Sequence, residues 1–226
     1  MQVQILYAPS YSLAIAQLSS NESLIAEAGA MVSMSGGVQI ETKARGGLLG
    51  GLARSFLGGE SFFMNTFVAG PSGGEVTLAS ALPGDLIHMQ LQGHSILAQS
   101  GSFVASGPGV TVDTKWGGAK SFFAGEGLFL LRIHGQGDLI LSSYGAIHAR
   151  DLAPGESYIV DTGHIVAFQE GMAYGVKKLG GLKSLFFSGE GLVAEFQGPG
   201  RVWIQTRSPG ALLEWLAPQI TKKSSD

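Results

Sequence analysis

Cysteine is absent from this 226-residue chain. Disulfide partners, thiolate metal sites and cysteine nucleophiles are therefore excluded. Charge is scarce as well. Lys, Arg, Asp and Glu together make up 14% of the residues, against roughly 25% in an average soluble domain. The net charge is -3, so the basic field that a phosphate backbone needs is missing, and nucleic acid is not an expected partner. No apolar run reaches the ~18 residues of a spanning helix. The start, Met1-Gln2-Val3-Gln4-Ile5, has neither the basic and apolar regions of a secretory leader nor an Arg/Ser-rich transit pattern. These absences lead to the expectation of a cytoplasmic protein, with at most a peripheral association with membranes.

What is present in excess is glycine, at 35 residues, together with a 45% hydrophobic content. A glycine-rich, charge-poor chain with enough apolar material for a core reads as many short strands joined by tight turns. Val38-Gln39-Ile40-Glu41-Thr42, Val110-Thr111-Val112-Asp113-Thr114 and Arg201-Val202-Trp203-Ile204-Gln205 show strand-like alternation. Gly and Pro punctuate such segments every 8–12 residues or so, which is the spacing of an antiparallel sandwich or barrel.

The chain repeats itself. Residues 23–43 align without a gap on residues 95–115, sharing Ser, Ala, Gly, Val, Gly, Val, Thr and Lys. A looser third copy matches the start of that block at His164–Met172. A second block, Gly-Gly, a basic residue, Ser, an apolar pair, then Gly and Glu, recurs at 50–60, 117–127 and 180–191. Pro83-Gly84-Asp85 and Pro154-Gly155-Glu156 recur as turns. The expectation is a single all-β domain over residues 1–220: an antiparallel β-sandwich or barrel of three pseudo-threefold repeats at approximately 10–80, 82–151 and 153–207. A short C-terminal helix follows, capped by Ser208, opened by Pro209, carrying Leu212, Leu213 and Leu216 and ending at Pro218. Residues 221–226 read as a flexible tail.

No chemistry-bearing constellation emerges. The Gly-Gly-x-Lys/Arg-Ser block lacks the Gly directly before the Lys that a phosphate loop needs, and a catalytic loop in triplicate is not expected. The five histidines include no His-x-His pair, and His94 and His164 read as corresponding repeat positions on turns or edges. Asp161-Thr162-Gly163 has no second copy with which an aspartic-protease dyad could share a proton. Glu60, Glu126 and Glu190 recur with the repeat and read as turn carboxylates. No catalytic, metal or cofactor site is assigned, and the chain is expected to be non-enzymatic.

The remaining candidate is an interaction surface. Segment 46–64 places Leu48, Leu49, Leu52, Phe56 and Leu57 at helix-like spacing, but Gly50 and Gly51 oppose a helix, so helix, hairpin and loop stay open. Arg54 lies within it. The counterparts carry Lys120 with Phe122 and Phe123, and Lys183 with Phe186 and Phe187. Three tips, each with one cation and an apolar pair, suit a partner protein or a membrane surface.

The run Gly46–Ser61, the Ser/Lys–Gly-Glu-Gly blocks and Gly200-Arg201-Val202-Trp203-Ile204-Gln205-Thr206-Arg207-Ser208 resemble the altered-inheritance-of-mitochondria family over nearly the whole chain. That resemblance implies a β fold akin to the trp RNA-binding attenuation protein, with internal pseudo-threefold repetition. For mitochondrial members it implies a role in inner-membrane architecture. Without a presequence, this chain looks like a prokaryotic member, and the family supplies no catalytic residues to carry over. The expected function is a homo-oligomeric scaffold or interaction protein, peripheral to a membrane or membrane complex. The alternatives are RNA binding by analogy of fold, and a small-ligand binder or enzyme with a pocket between β layers.

Overall fold

The computed structural model describes residues 1–41, 64–113, 129–178 and 192–221, with the backbone of 56–57 and 60–61. The first third of the chain forms β1 (Gln2–Leu6), β2 (Leu13–Leu18), β3 (Ser23–Glu27), β4 (Met31–Met34), β5 (Val38–Glu41), the short β6 (Phe56–Leu57) and β7 (Glu60–Ser61), β8 (Met64–Ala69) and β9 (Gly74–Leu78). The middle third forms β10 (Leu86–Gln92), β11 (Ile96–Gln99), β12 (Phe103–Ser106), β13 (Val110–Asp113) and the long β14 (Leu130–Ser142). The last third forms β15 (Ile147–Leu152), β16 (Ser157–Asp161), β17 (Ile165–Gln169), β18 (Ala173–Lys178), β19 (Leu192–Gln197) and β20 (Gly200–Gln205), then the helix α1 (Pro209–Thr221). All strand pairs are antiparallel.

The same four pairings are made in each third. β2 pairs β9, β10 pairs the second half of β14, and β15 pairs β20. On the other side of that strand lie β4, β12 and β17. β3 pairs β8, β11 pairs the first half of β14, and β16 pairs β19, with β5, β13 and β18 on the far side. Register shifts fall at Met31/Ser33, Phe103/Ala105 and Ile165/Ala167, the same step of each unit.

These bulges correct the sequence alignment of the third copy. Ser157 takes the place of Ser95, and His164 that of Ser102, so His94 and His164 do not correspond. The third unit begins with β15 at Ile147, not near 153.

Four sheets enclose three successive cores. The first core holds Ala14, Ala16, Val76 and Leu78 from one sheet and Leu24, Phe67, Val104 and Ile140 from the next. The second holds Phe103, Leu139 and Leu141 against Ile96, Ala98, Leu131 and Ile133. The third holds Leu97, Leu130, Ile165 and Phe168 against Val160, Ala194 and Phe196. Period-two alternation explains the partition. On β11, Ile96 and Ala98 face the second core while Leu97 faces the third. On β14, Leu139 and Leu141 face the second core and Ile140 the first. Both faces of the middle sheets are thus buried, and their strands read as continuous apolar runs. Among the described residues the sheets stay open and form no closed barrel.

Two turn motifs act differently. Gly155 takes φ +80° in Pro154-Gly155-Glu156, a backbone state that glycine adopts without strain. Gly84 has an ordinary φ but sits where a Cβ would lie 1.8 Å from the Ser143 carbonyl oxygen, so it is a close-approach glycine at the join of the second and third units.

Helix α1 starts as expected, with Ser208 Oγ accepting from the Ala211 amide at 3.5 Å, but it runs through Pro218 to Thr221. Leu212 and Leu216 are half-buried, while Leu213, Trp215 and Ile220 are exposed.

The third core depends on an aromatic cluster in which Phe168 meets Tyr174 and Phe196 at 4.9 Å between centroids. Phe196→Ala should remove about 3–5 kcal/mol of stability, read as a lower urea midpoint at unchanged slope. A loss below about 1 kcal/mol would contradict this packing.

Candidate functional site

The sequence-predicted tip residues fall mostly outside the described residues: Leu48, Leu49, Leu52, Arg54, Lys120, Phe122, Phe123, Lys183, Phe186 and Phe187. Phe56 and Leu57 are described as backbone only, pairing with Ser61 and Glu60 in a two-residue hairpin. Glu126 and Glu190 also lie outside the described residues. What the described strands do show is where the three runs are inserted. Each joins the same two neighbouring strands of its unit: β5 to β8, β13 to β14, and β18 to β19.

The motifs that invited catalytic readings are occupied structurally. Asp161 caps a 3-10 turn, its carboxylate accepting from the Gly163 amide at 2.9 Å. Thr162 donates to the Leu192 carbonyl at 3.0 Å. His164 Nδ1 is bonded to the Gln205 carbonyl at 2.7 Å, and His88 pairs with Asp138 at 2.7 Å. Among the described residues, no cluster of three metal-ligating side chains forms.

Most described acidic groups with shifted titration belong to surface ion pairs. Arg201 makes a two-pronged contact with Asp151 at 2.6 Å on both oxygens, which lowers the Asp151 pKa. Glu156 accepts from the Ala153 amide and from Arg150, and both bonds lower its pKa. Arg132 Nε donates to Glu170 at 2.7 Å, and that bond, opposed by partial desolvation, holds the Glu170 carboxyl below its usual range. This last pair spans the join between the second and third units.

That join is the informative geometry. β17 of the third unit pairs β11 of the second, through Ile96↔Gln169, Leu97↔Phe168 and Ala98↔Ala167. β12 of the second unit pairs β3 of the first, through Ala105↔Ala26 and Ser106↔Ile25. In each join, the third strand of one unit, β12 or β17, seals against the second strand of the preceding unit, β3 or β11. Among the described residues, β4 and β16 are the two strands of these types with no such partner. They end the sheets β1-β2-β9-β4 and β16-β19-β18.

Exposure follows pairing. Every residue of β12 is buried and every residue of β4 is exposed. Val104 and Val166 are 1% and 0% exposed, whereas the matching Val32 is 58% exposed. Leu97 is 2% exposed, whereas the matching Ile159 is 45% exposed. Sequence reasoning could not find these residues, because Val32 is the same residue type as its buried counterparts.

One groove of about 550 Å³ runs beneath α1, lined by Gln99, Ser102, Ser142, Gln205 and Leu213 among others. Its lining carries a single carboxylate, Glu214, with no lysine, arginine or histidine beside it.

Fold and edges together define a class: a row of three β units, joined strand to strand, with a strand at each end that is unsealed among the described residues. The chain belongs to the family described as mitochondrial biogenesis AIM24, whose model matches residues 3–207. It is similar to an uncharacterised protein of Streptococcus pyogenes serotype M6, 29% identical over 192 residues, covering 81% of this chain and 77% of that one. It is also similar to the crystal structure of protein SPYM3_0169 from Streptococcus pyogenes, with a TM-score of 0.78 and 25% identity, covering 96% of this chain and 99% of that one.

The Arg132–Glu170 pair gives a pH test. A carboxyl with a lowered folded pKa adds stability above its unfolded value, and that stability is lost as pH falls through the folded value. Glu170→Gln should therefore lower Tm near neutral pH, and the gap from the parent should close as pH falls below the usual carboxylate range. A gap that stays constant across the scan would rule out the charged pair as its source.

Proposed function

We propose that the protein is a non-enzymatic scaffold or interaction protein that works through its unsealed strands. The observation that carries this reading is β4. An edge strand of four neutral residues, Met31-Val32-Ser33-Met34, has neither the charge nor the proline that normally blunts a sheet edge. An unpaired backbone row beside exposed apolar side chains is a site for strand addition. The use of Asp161 as a cap and of Asp151 and Glu170 in ion pairs supports the same reading.

A photo-crosslinking residue placed at Val32 in the full chain, in cells, tests this. Adducts of discrete mass should form from Val32 and not from exposed His148 on β15. Absence of adducts from Val32 would contradict the reading.

The peripheral membrane role rests on a second observation, the placement of the three cation-and-aromatic runs between equivalent paired strands. Burying one Phe in lipid is worth roughly 1.5–3 kcal/mol, and one basic residue near an anionic leaflet about 1 kcal/mol. Replacing Arg54, Phe56 and Leu57 together should reduce co-sedimentation with anionic vesicles by about tenfold or more. Equal binding by parent and variant, or none by either, would remove the membrane role.

A further inference from the structure

We propose that β16 of one copy pairs antiparallel with β4 of a second copy of this chain, joining the copies head to tail in the way each chain joins its own units. The inference rests on the scaffold reading above and names the partner.

The two strands are the missing halves of one junction. Inside the chain, β3 meets β12 and β11 meets β17. A third junction of the same kind needs a strand of the β3/β11 type and one of the β12/β17 type. β16 and β4 are those strands by position in their units, by their partners β19 and β9, and by the bulge at Met31/Ser33. The other sheet ends are not strands of the two joining types: β1, β10 and β15 lie at the β2/β10/β15 side of a unit, and β5, β13 and β18 lie outermost in all three units.

The internal junctions also fix the register. Leu97↔Phe168 and Ala98↔Ala167 in one junction match Ile25↔Ser106 and Ala26↔Ala105 in the other. Carried onto the free strands, these pairs become Ile159↔Met34 and Val160↔Ser33.

The side chains agree with that register. Leu97 and Phe168, the internal equivalents of Ile159 and Met34, both lie in the third core. Ile159 would fill the same place over the partner's first core, beside Met34. Val104 reaches the core of the preceding unit, the first, and Val166 likewise the second. Val32 would reach the third core of the neighbouring copy. Thus the exposed apolar residues Val32, Met34 and Ile159 of the two strands are covered at once. The contact uses two different surfaces, so it is heterologous, and it propagates from copy to copy until it closes.

The lack of native cysteine makes a crosslinking test clean. Directly paired antiparallel residues have Cα atoms about 4.5–5.5 Å apart, within disulfide reach. Protein carrying Ile159→Cys is mixed with protein carrying Met34→Cys and oxidised gently. The expected result is a covalent species of twice the chain mass from the mixture, and none from either variant alone. A dimer from one variant alone would mean that an edge pairs with itself, and would overturn the proposal. No product would overturn it too. A chain carrying both changes that forms only an internal bridge, migrating as a compact monomer, would show closure within one copy and also overturn it. Parent protein in light scattering should exceed the 23.5 kDa chain mass, and Val32→Asp should return it to that mass with unchanged circular dichroism. If Val32 crosslinks a different protein in cells while the cysteine mixture yields nothing, the interaction reading stands and self-pairing falls.

Discussion

The structure depends on one backbone contact, the antiparallel ladder between consecutive units. A single unit provides two sheets, but it cannot cover either outward face. Pairing β3 with β12, and β11 with β17, fuses the sheets of neighbours so that each middle sheet serves two cores. Strand alternation then sends neighbouring residues to different cores, as Leu97 and Ala98 show. The ladder is short, only two and three residue pairs in the two junctions, yet it decides whether a valine at the same place is buried or bare.

This constraint carries the functional reading. Polar groups that resemble catalytic parts are used to hold turns and joins. Asp161 and Thr162 secure the turn into β17, and Arg132 with Glu170 clamps the second unit to the third. Among the described residues, the joining strands β4 and β16 leave backbone and apolar surface unsealed at the two ends of the row. Membership of the AIM24 family does not by itself assign an activity, since the streptococcal relative is uncharacterised. The physical account therefore rests on edges rather than on a pocket.

Much of the fold was legible in the sequence. Strands such as β5, β13 and β20 fall where alternation placed them. The helix start was legible from Ser208-Pro209. Its end was not, since Pro218 and Glu214 are both exposed, and water can satisfy the carbonyl that proline leaves unpaired. The third repeat was misplaced for a related reason. Strands buried on both faces lose their alternation, so Ile165-Val166-Ala167-Phe168 resembles Leu24-Ile25-Ala26 in pattern although it occupies the place of Phe103-Val104-Ala105. The candidate surface was the least legible part. Composition marks an aliphatic residue as core-forming, and only the pairing shows that Val32 and Ile159 have lost the neighbour that would bury them.

The central claim is that β4 and β16 are sealed in solution by each other. Amide hydrogen exchange of the parent protein at high and low concentration tests it most directly. The account predicts that β4 amides not bonded to β9 are protected like those of β12 at high concentration, and that this protection falls together with that of β16 on dilution. Rapid exchange of those amides at every concentration would contradict it.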